Sequence, residues 1–157
     1  MKKFSFKEIK FFSGNYSEIK KEFDKGGVLV APAASALANI DNDKKYYSAL
    51  KQANIAILDS GFFCILLRLF RLKRVKKFSG YLFLRTFLEN FKNQNKIFFI
   101  DPSRKSSIIN SNYLRFKKIS NFKSYIAPDY KGHHFDLKLI KNLNQYKPRY
   151  IVINLGG

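Results

Sequence analysis

An acid, a small residue and a glycine follow an apolar run at Leu58-Asp59-Ser60-Gly61. Where a buried strand turns into an apolar helix, an acid can act as a general base or orient a hydroxyl, because the site is concave and nearby helix N-termini favour anions. The same residues also suit a plainer role, with Asp59 capping the helix and Gly61 making the turn. A second cluster, Arg68, Arg71, Lys73, Arg74, Lys76 and Lys77, runs directly into Phe78-Ser79-Gly80. Cations beside a helix start, with a glycine that lets the backbone come close, form a cradle for a diphosphate. Equally, Arg68 and Arg71 could satisfy the C-terminal dipole of the preceding helix in a solvated turn. His133 and His134 are neighbours in Tyr130-Lys131-Gly132-His133-His134, a spacing that does not aim two ligands at one centre, so they read as surface loop and no metal site is expected. Walker A, G-x-G-x-x-G and G-x-S-x-G motifs and paired cysteines are all missing from the sequence, which removes support for those enzyme classes.

Four apolar runs of strand length must position these groups: Val28–Ala31, Ile55–Leu58, Ile97–Ile100 and Ile151–Asn154. They do not alternate and are bounded by polar residues or glycine, the pattern of strands buried on both faces, so a parallel sheet follows. Helical signals lie between them. Ser79 is placed to cap a helix through Phe91, Asp101 and Pro102 to cap and start one over Ser106–Phe116, and others are expected over Asp41–Gln52 and Phe135–Tyr146, the last stopping before Pro148. Ser124–Pro128 reads as a further short strand and Met1–Ser13 as a hairpin or an added strand. The fold class is α/β, a Rossmann-like open, mainly parallel sheet with helices on both faces. The expectation is one domain over 1–157, with a lead-in over 1–25 and a core over 26–157. Gly156 and Gly157 end a buried strand where open α/β sheets keep their ligand crevice, so the chain is expected to stop before the domain is complete.

Composition sets the class. The chain has 157 residues, enough to bury roughly 68–70% of its unfolded surface in one core. Hydrophobic content of 46% argues for a packed globule against the disorder that the many lysines could otherwise suggest. The single cysteine, Cys64, cannot close an internal disulfide and sits in the run Phe62–Leu67, so it reads as a buried, inert thiol of a reducing compartment. The start is basic but lacks the apolar stretch of a signal peptide, and Gly61–Phe70, broken by Arg68, is far short of the ~20 residues that cross a bilayer. Thirty Lys and Arg against eleven Asp and Glu give a formal charge of +19. Such a surface favours an anionic partner, although a coding bias towards lysine would leave the same trace.

Taken in order, Val28–Ala33, Asn54–Gly61, Lys77–Leu84, Ile97–Pro102 and Pro148–Gly157 resemble the WecG/TagA/CpsF glycosyltransferases over residues 26 to 157. Each motif is short, and their order and spacing carry the likeness. In that family a strand ends in Thr-Pro-Asn, an aspartate before glycine is the proposed base, an Arg-x-x-Gly element meets the donor diphosphate, and a late strand leads to a Gly-x-Pro-x-Gln-Glu loop. The resemblance implies that Asp59 is the base and that Gly80 matches the glycine of the third motif. Lys77 stands in place of arginine, keeping the charge and losing the planar fork. Pro32 is retained, whereas Ala31 and Ala33 replace the threonine and asparagine, so two polar contacts are lost. Pro32, Ala33, Ser60, Gly61, Lys77, Ser79, Gly80, Gly156 and Gly157 are the implied substrate-binding positions.

The resemblance further implies inverting transfer of a sugar, of the N-acetylmannosamine type or related, from a UDP-sugar to a polyprenyl-diphosphate-linked acceptor. That is hexosyl transfer in bacterial cell-surface polysaccharide or teichoic-acid-type synthesis, with no cofactor or metal. The expected place is the cytoplasmic face of the cell membrane, peripheral to an anionic surface, with self-association left open. Two other readings compete. One is a catalytically inactive relative acting as a scaffold or regulator, given Ala31 and Ala33. The other is a basic nucleic-acid-binding module, disfavoured because the cations are spread along the whole chain and the aromatics fall in core-like runs.

Overall fold

The computed structural model describes residues 2–57, 59, 78–130 and 135–155. Ser60, Gly61, Cys64, the basic stretch through Lys77, His133, His134, Gly156 and Gly157 lie outside the described residues. The chain divides into two compact units, Met1–Thr86 and Phe87–Gly157.

In the first unit β1 (Lys2–Phe6) and β2 (Ile9–Ser13) form an antiparallel hairpin, in keeping with the expectation for Met1–Ser13. Its two-residue turn places Lys7 and Glu8 at φ 47° and 59°, the left-handed geometry that matches strand twist and that Asn-Gly adopts more easily. Neighbours hold this turn: Lys7 pairs with Asp41, Lys51 pairs with Glu8 at 2.6 Å, and the Tyr47 hydroxyl donates to the Lys7 carbonyl at 3.1 Å. Lys51 lowers the Glu8 pKa through its hydrogen bond and its charge.

After β2 comes α1 (Tyr16–Phe23), started by a reciprocal capping box in which Asn15 and Glu18 each accept the other's backbone N–H at 3.0 Å. The sheet order is β1-β2-β4-β3, with β4 (Ile55–Ile57) parallel to both β2 and β3 (Leu29–Val30). Asn54 fixes the start of β3: its Oδ1 accepts from the Val28 N–H at 2.9 Å, and its side chain fills the space where a Gly27 Cβ would lie. A short α2 (Ala34–Ala38), a 3-10 turn (Ile40–Asn42) and α3 (Lys44–Gln52) lead to β4. The expected helix over Asp41–Gln52 begins at Lys44, where Asp43 caps α3 by accepting from the Tyr46 N–H at 2.9 Å. Phe4, Ile9, Phe11, Leu37, Ile40, Leu50 and Ala56 close a core between sheet and α3. Phe83 of α4 (Gly80–Glu89) packs on α1, its ring 5.5 Å from Tyr16 and 5.7 Å from Phe23.

The second unit is a three-stranded parallel sheet of order β6-β5-β7, from β5 (Ile97–Asp101), β6 (Phe122–Ile126) and β7 (Tyr150–Ile153). Two helices connect them, α5 (Arg104–Phe116) and α6 (Leu137–Tyr146). Phe98 and Ile100 pack with Leu139 and Leu143 of α6. Strand alternation turns Ile97, Phe99 and Asp101 to the other face, where Asn110 of α5 reaches Asp101. Helices therefore cover β5 from both sides. The end of α6 follows expectation: Lys147 takes the left-handed cap at φ 50° just ahead of Pro148.

Three expectations change. The four apolar runs do not share one sheet among the described residues, because β4 already has β2 and β3 on its edges and β5 has β6 and β7, so neither offers an edge to the other. Nor are all four buried on both faces. Strands β4 and β5 are buried throughout, but β3 is a two-residue edge strand, and β7 exposes Ile151 and Ile153. Asp101 is not the cap of α5. It is the last residue of β5, and Ser103, in extended conformation, caps the helix by accepting from the Ser106 N–H at 3.1 Å, leaving Pro102 outside it.

Candidate active site

Strands β3 and β4 run parallel with Val30 opposite Ala56, so Ala31-Pro32-Ala33 and Asp59 leave the first sheet at the same carboxyl edge. Gly80, the first residue of α4, is brought to them. A Cβ at Gly80 would lie 2.5 Å from the Ala31 Cβ and 3.7 Å from Asp59 Oδ2. The first distance is shorter than real carbon contacts, and neither partner has a flexible end that could swing away, so only glycine fits. Three of the segments singled out in the sequence, spread from Ala31 to Gly80, thus meet in one place.

Their surroundings differ. Pro32 is buried, Ala31, Asp59, Ser79 and Gly80 are half-buried, and Ala33 is exposed. Ala33 occupies the N-cap of α2 and makes no side-chain bond there, as alanine must. The Asp59 carboxylate is a solvent-reachable acid beside the first turn of α4, whose opening amides have no intrahelical acceptors. The Ser79 carbonyl accepts the first helical bond, from the Phe83 N–H at 2.9 Å. An acid of this kind can take a proton from a hydroxyl, and a helix start with a glycine at its first position can receive an anion. Ser60, Gly61 and Lys77, the remaining implied members of this edge, and Gly156 and Gly157 lie outside the described residues.

A second acid leaves no mark as a site in the sequence. Asp101, at the carboxyl end of β5, is fully buried. Its Oδ1 accepts from the side-chain amides of Asn110 at 2.7 Å and Asn154 at 2.8 Å. Its Oδ2 is buried with no donor among the described residues. A buried acceptor left unmade costs about 1–3 kcal/mol, more for a charged group. The Asn154 N–H is also tied, to the Ile100 carbonyl at 2.9 Å. The one local sign was the Asp-Pro pair, which reads as a helix start; the asparagine partners lie nine and fifty-three residues away and leave no spacing signal.

On the α6 side of the same sheet, Asp136 caps α6 by accepting from the Leu139 N–H at 2.9 Å, while its other oxygen accepts from the Tyr130 hydroxyl at 2.7 Å and the Tyr125 hydroxyl at 2.8 Å. The Tyr130 hydroxyl, first, and then the Leu139 amide hold Asp136 below the usual carboxylate range. In return the bond to Asp136, reinforced by desolvation, pushes Tyr130 up to about 12. Among the described residues no group of three His, Cys, Asp or Glu side chains could hold a metal ion, and no helix is long and apolar enough to cross a membrane.

Residues 9–157 match the family model described as the glycosyl transferase WecG/TagA/CpsF family. The match begins at Ile9, the first residue of β2, where the motifs alone suggested residue 26. No curated protein matches the chain.

Proposed function

The chain belongs to the WecG/TagA/CpsF glycosyltransferase family, and from that premise we propose that it moves a sugar from a UDP-sugar to a polyprenyl-diphosphate-linked acceptor with inversion, using Asp59 as the base. The convergence of Ala31, Asp59 and Gly80 at one carboxyl edge carries this reading. Asp59 takes the proton of the acceptor hydroxyl as its oxygen attacks the anomeric carbon. The bond from that carbon to the diphosphate breaks, and UDP departs with the electron pair. Charge then grows on the leaving diphosphate, and the amides at the start of α4 with Lys77 are the groups assigned to receive it. Gly80 lets the backbone of that start come close. Ala31 and Ala33 offer no polar contact to donor or acceptor, so orientation rests on backbone groups and on the remaining residues of the edge.

A formal charge of +19 supports a place at the anionic inner face of a membrane, where each lysine near the surface contributes about 1 kcal/mol. Asp59→Asn in the full-length protein tests the assignment of the base. Transfer should fall by about 10²–10⁴-fold while UDP affinity changes little, and unchanged transfer would overturn it.

A further inference from the structure

The amino edge of the second unit's sheet carries a hollow for which sugar transfer has no use. It has a volume of about 590 Å³ and lies where α5 ends and β6 begins. Strand β6 pairs only with β5 among the described residues, so the hollow opens beside the free edge of the sheet. Ser111 and Arg115 of α5 line it, with Lys118 and Ser120 from the connecting loop and Phe122 and Ser124 from β6, and no acid is among its described lining residues. Asp101 stands at the opposite, carboxyl end of the same strands.

The walls are fixed before any ligand arrives. Asn93 holds the loop, its Nδ2 donating to the Lys118 carbonyl at 2.8 Å and its Oδ1 accepting from the Ser120 N–H at 3.1 Å. The carbonyls of Tyr113, Arg115 and Leu114 accept from the N–H groups of Lys117, Lys118 and Ile119 at 3.0, 2.8 and 2.9 Å, so the end of α5 does not turn these acceptors on the hollow. Lys117 pairs with Glu89 at 3.3 Å, whereas Arg115 and Lys118 have no carboxylate partner among the described residues. Arg115 reaches Asn112 at 3.5 Å, and its guanidinium lies 6.0 Å from the centre of the Phe122 ring, which holds it beside the hollow. Lys123 aims elsewhere, its ammonium 4.9 Å from the centre of the Tyr146 ring.

Two features here work against folding. Lys118 takes φ 58°, a conformation that glycine adopts far more readily. The Ser124 hydroxyl is buried with no partner among the described residues. Both put donors at the same hollow, and donors without acceptors suit a ligand that brings acceptors. Two cations and three hydroxyls exceed what the two oxygens of a carboxylate take and match a phosphate, whose oxygens accept from guanidinium, ammonium and hydroxyl alike. The volume leaves room for an organic group beyond the phosphate, with the Phe122 ring as its apolar neighbour.

We propose that this hollow binds a phosphate monoester through Arg115, Lys118 and the serine hydroxyls, at the end of the sheet opposite Asp101.

The test is site-resolved NMR titration of the full-length protein with inorganic phosphate and with phenyl phosphate, beside thermal unfolding. Shifts should concentrate on the amides of residues 111–124 and saturate, with phenyl phosphate the tighter ligand. K118G suits the left-handed backbone and S124A removes an unbonded buried hydroxyl, so both should unfold at the wild-type temperature or higher. Binding at the hollow should weaken by about 10-fold in K118G and about 3-fold in S124A. Shifts spread evenly over the lysines, as a charge of +19 alone would produce, overturn the proposal, and so does unchanged binding at the hollow in either variant. Vesicles identify the source of the ester. Flotation on phosphatidic acid that K118G weakens more than flotation on phosphatidylserine assigns a lipid headgroup, and equal effects on the two assign a soluble ester.

Discussion

The carboxyl edges of the two sheets are built on opposite principles. In the first unit small residues make the edge: Ala31, Pro32 and Gly80 crowd together and leave Asp59 half-exposed beside them. In the second unit polar groups make it, with Asp101 buried under two asparagine amides and Asp136 holding two tyrosine hydroxyls. The acid at the first edge is half-exposed beside a helix start, whereas the acid at the second is fully buried and bonded to two asparagine amides. The same α/β framework thus surrounds two strand-end acids in different ways, and on the reading proposed above the half-exposed one is the base.

If packing makes the first edge, filling it should be expensive. Gly80→Ala puts a methyl 2.5 Å from the Ala31 Cβ and should destabilise the protein by about 1–3 kcal/mol in denaturant unfolding. Adding Ala31→Gly to the same chain should restore most of that loss, since the two positions are in direct contact. A neutral Gly80→Ala would mean that the close approach does not exist in solution.

If ionisable groups make the second edge, pH should find it. Tyr130 is pushed up to about 12 by its bond to Asp136, while burial also raises Tyr46, Tyr125 and Tyr146, so among nine tyrosines the Tyr130 phenol should fall with the late group in an alkaline absorbance titration. A folded pKa raised above the unfolded value of about 10 means that this bond stabilises fully below pH about 10 and fades as pH rises through about 12. Asp136→Asn should bring that phenol back towards the ordinary range. A titration in which Tyr130→Phe removes an ordinary phenol would contradict the arrangement.

The smallest effect belongs to the hairpin of the first unit. Glu8 is held below its usual pKa by Lys51, so the pair contributes above the unfolded carboxylate pKa of about 4.3 and is lost as pH falls through the lower folded value. Being exposed, it should shift acid unfolding only slightly, and Glu8→Gln should flatten that part of the pH profile. A profile with the same acid limb in Glu8→Gln would show that the turn is held by Tyr47 and the Lys7–Asp41 pair alone.

What the residues disclosed in advance follows the same division. Strands β4 and β5 were legible because an unbroken apolar run has few other uses, and the positions of Asp59, at the end of such a run, and of Gly80, at a helix start, were visible locally. Which strands pair was not legible, since an apolar run records burial and not the identity of its neighbour. The burial of Asp101 was hidden for the same reason: Asp-Pro looks like a helix start, and only the fold brings Asn110 and Asn154 to it. Its cap function passed to Ser103, whose hydroxyl reaches the Ser106 amide. Local steric demands are written in adjacent residues, whereas polar networks closed across fifty residues are written nowhere in particular.

The contrast between the two acids comes to a point in single-turnover transfer by the full-length protein and its Asp59→Asn form, both saturated with UDP-sugar. The account predicts a rate about 10²–10⁴-fold lower in the variant, with unchanged unfolding and nearly unchanged UDP affinity. Transfer at the wild-type rate, from a variant that folds and binds UDP normally, would contradict it and leave Asp59 as no more than the cap of a helix.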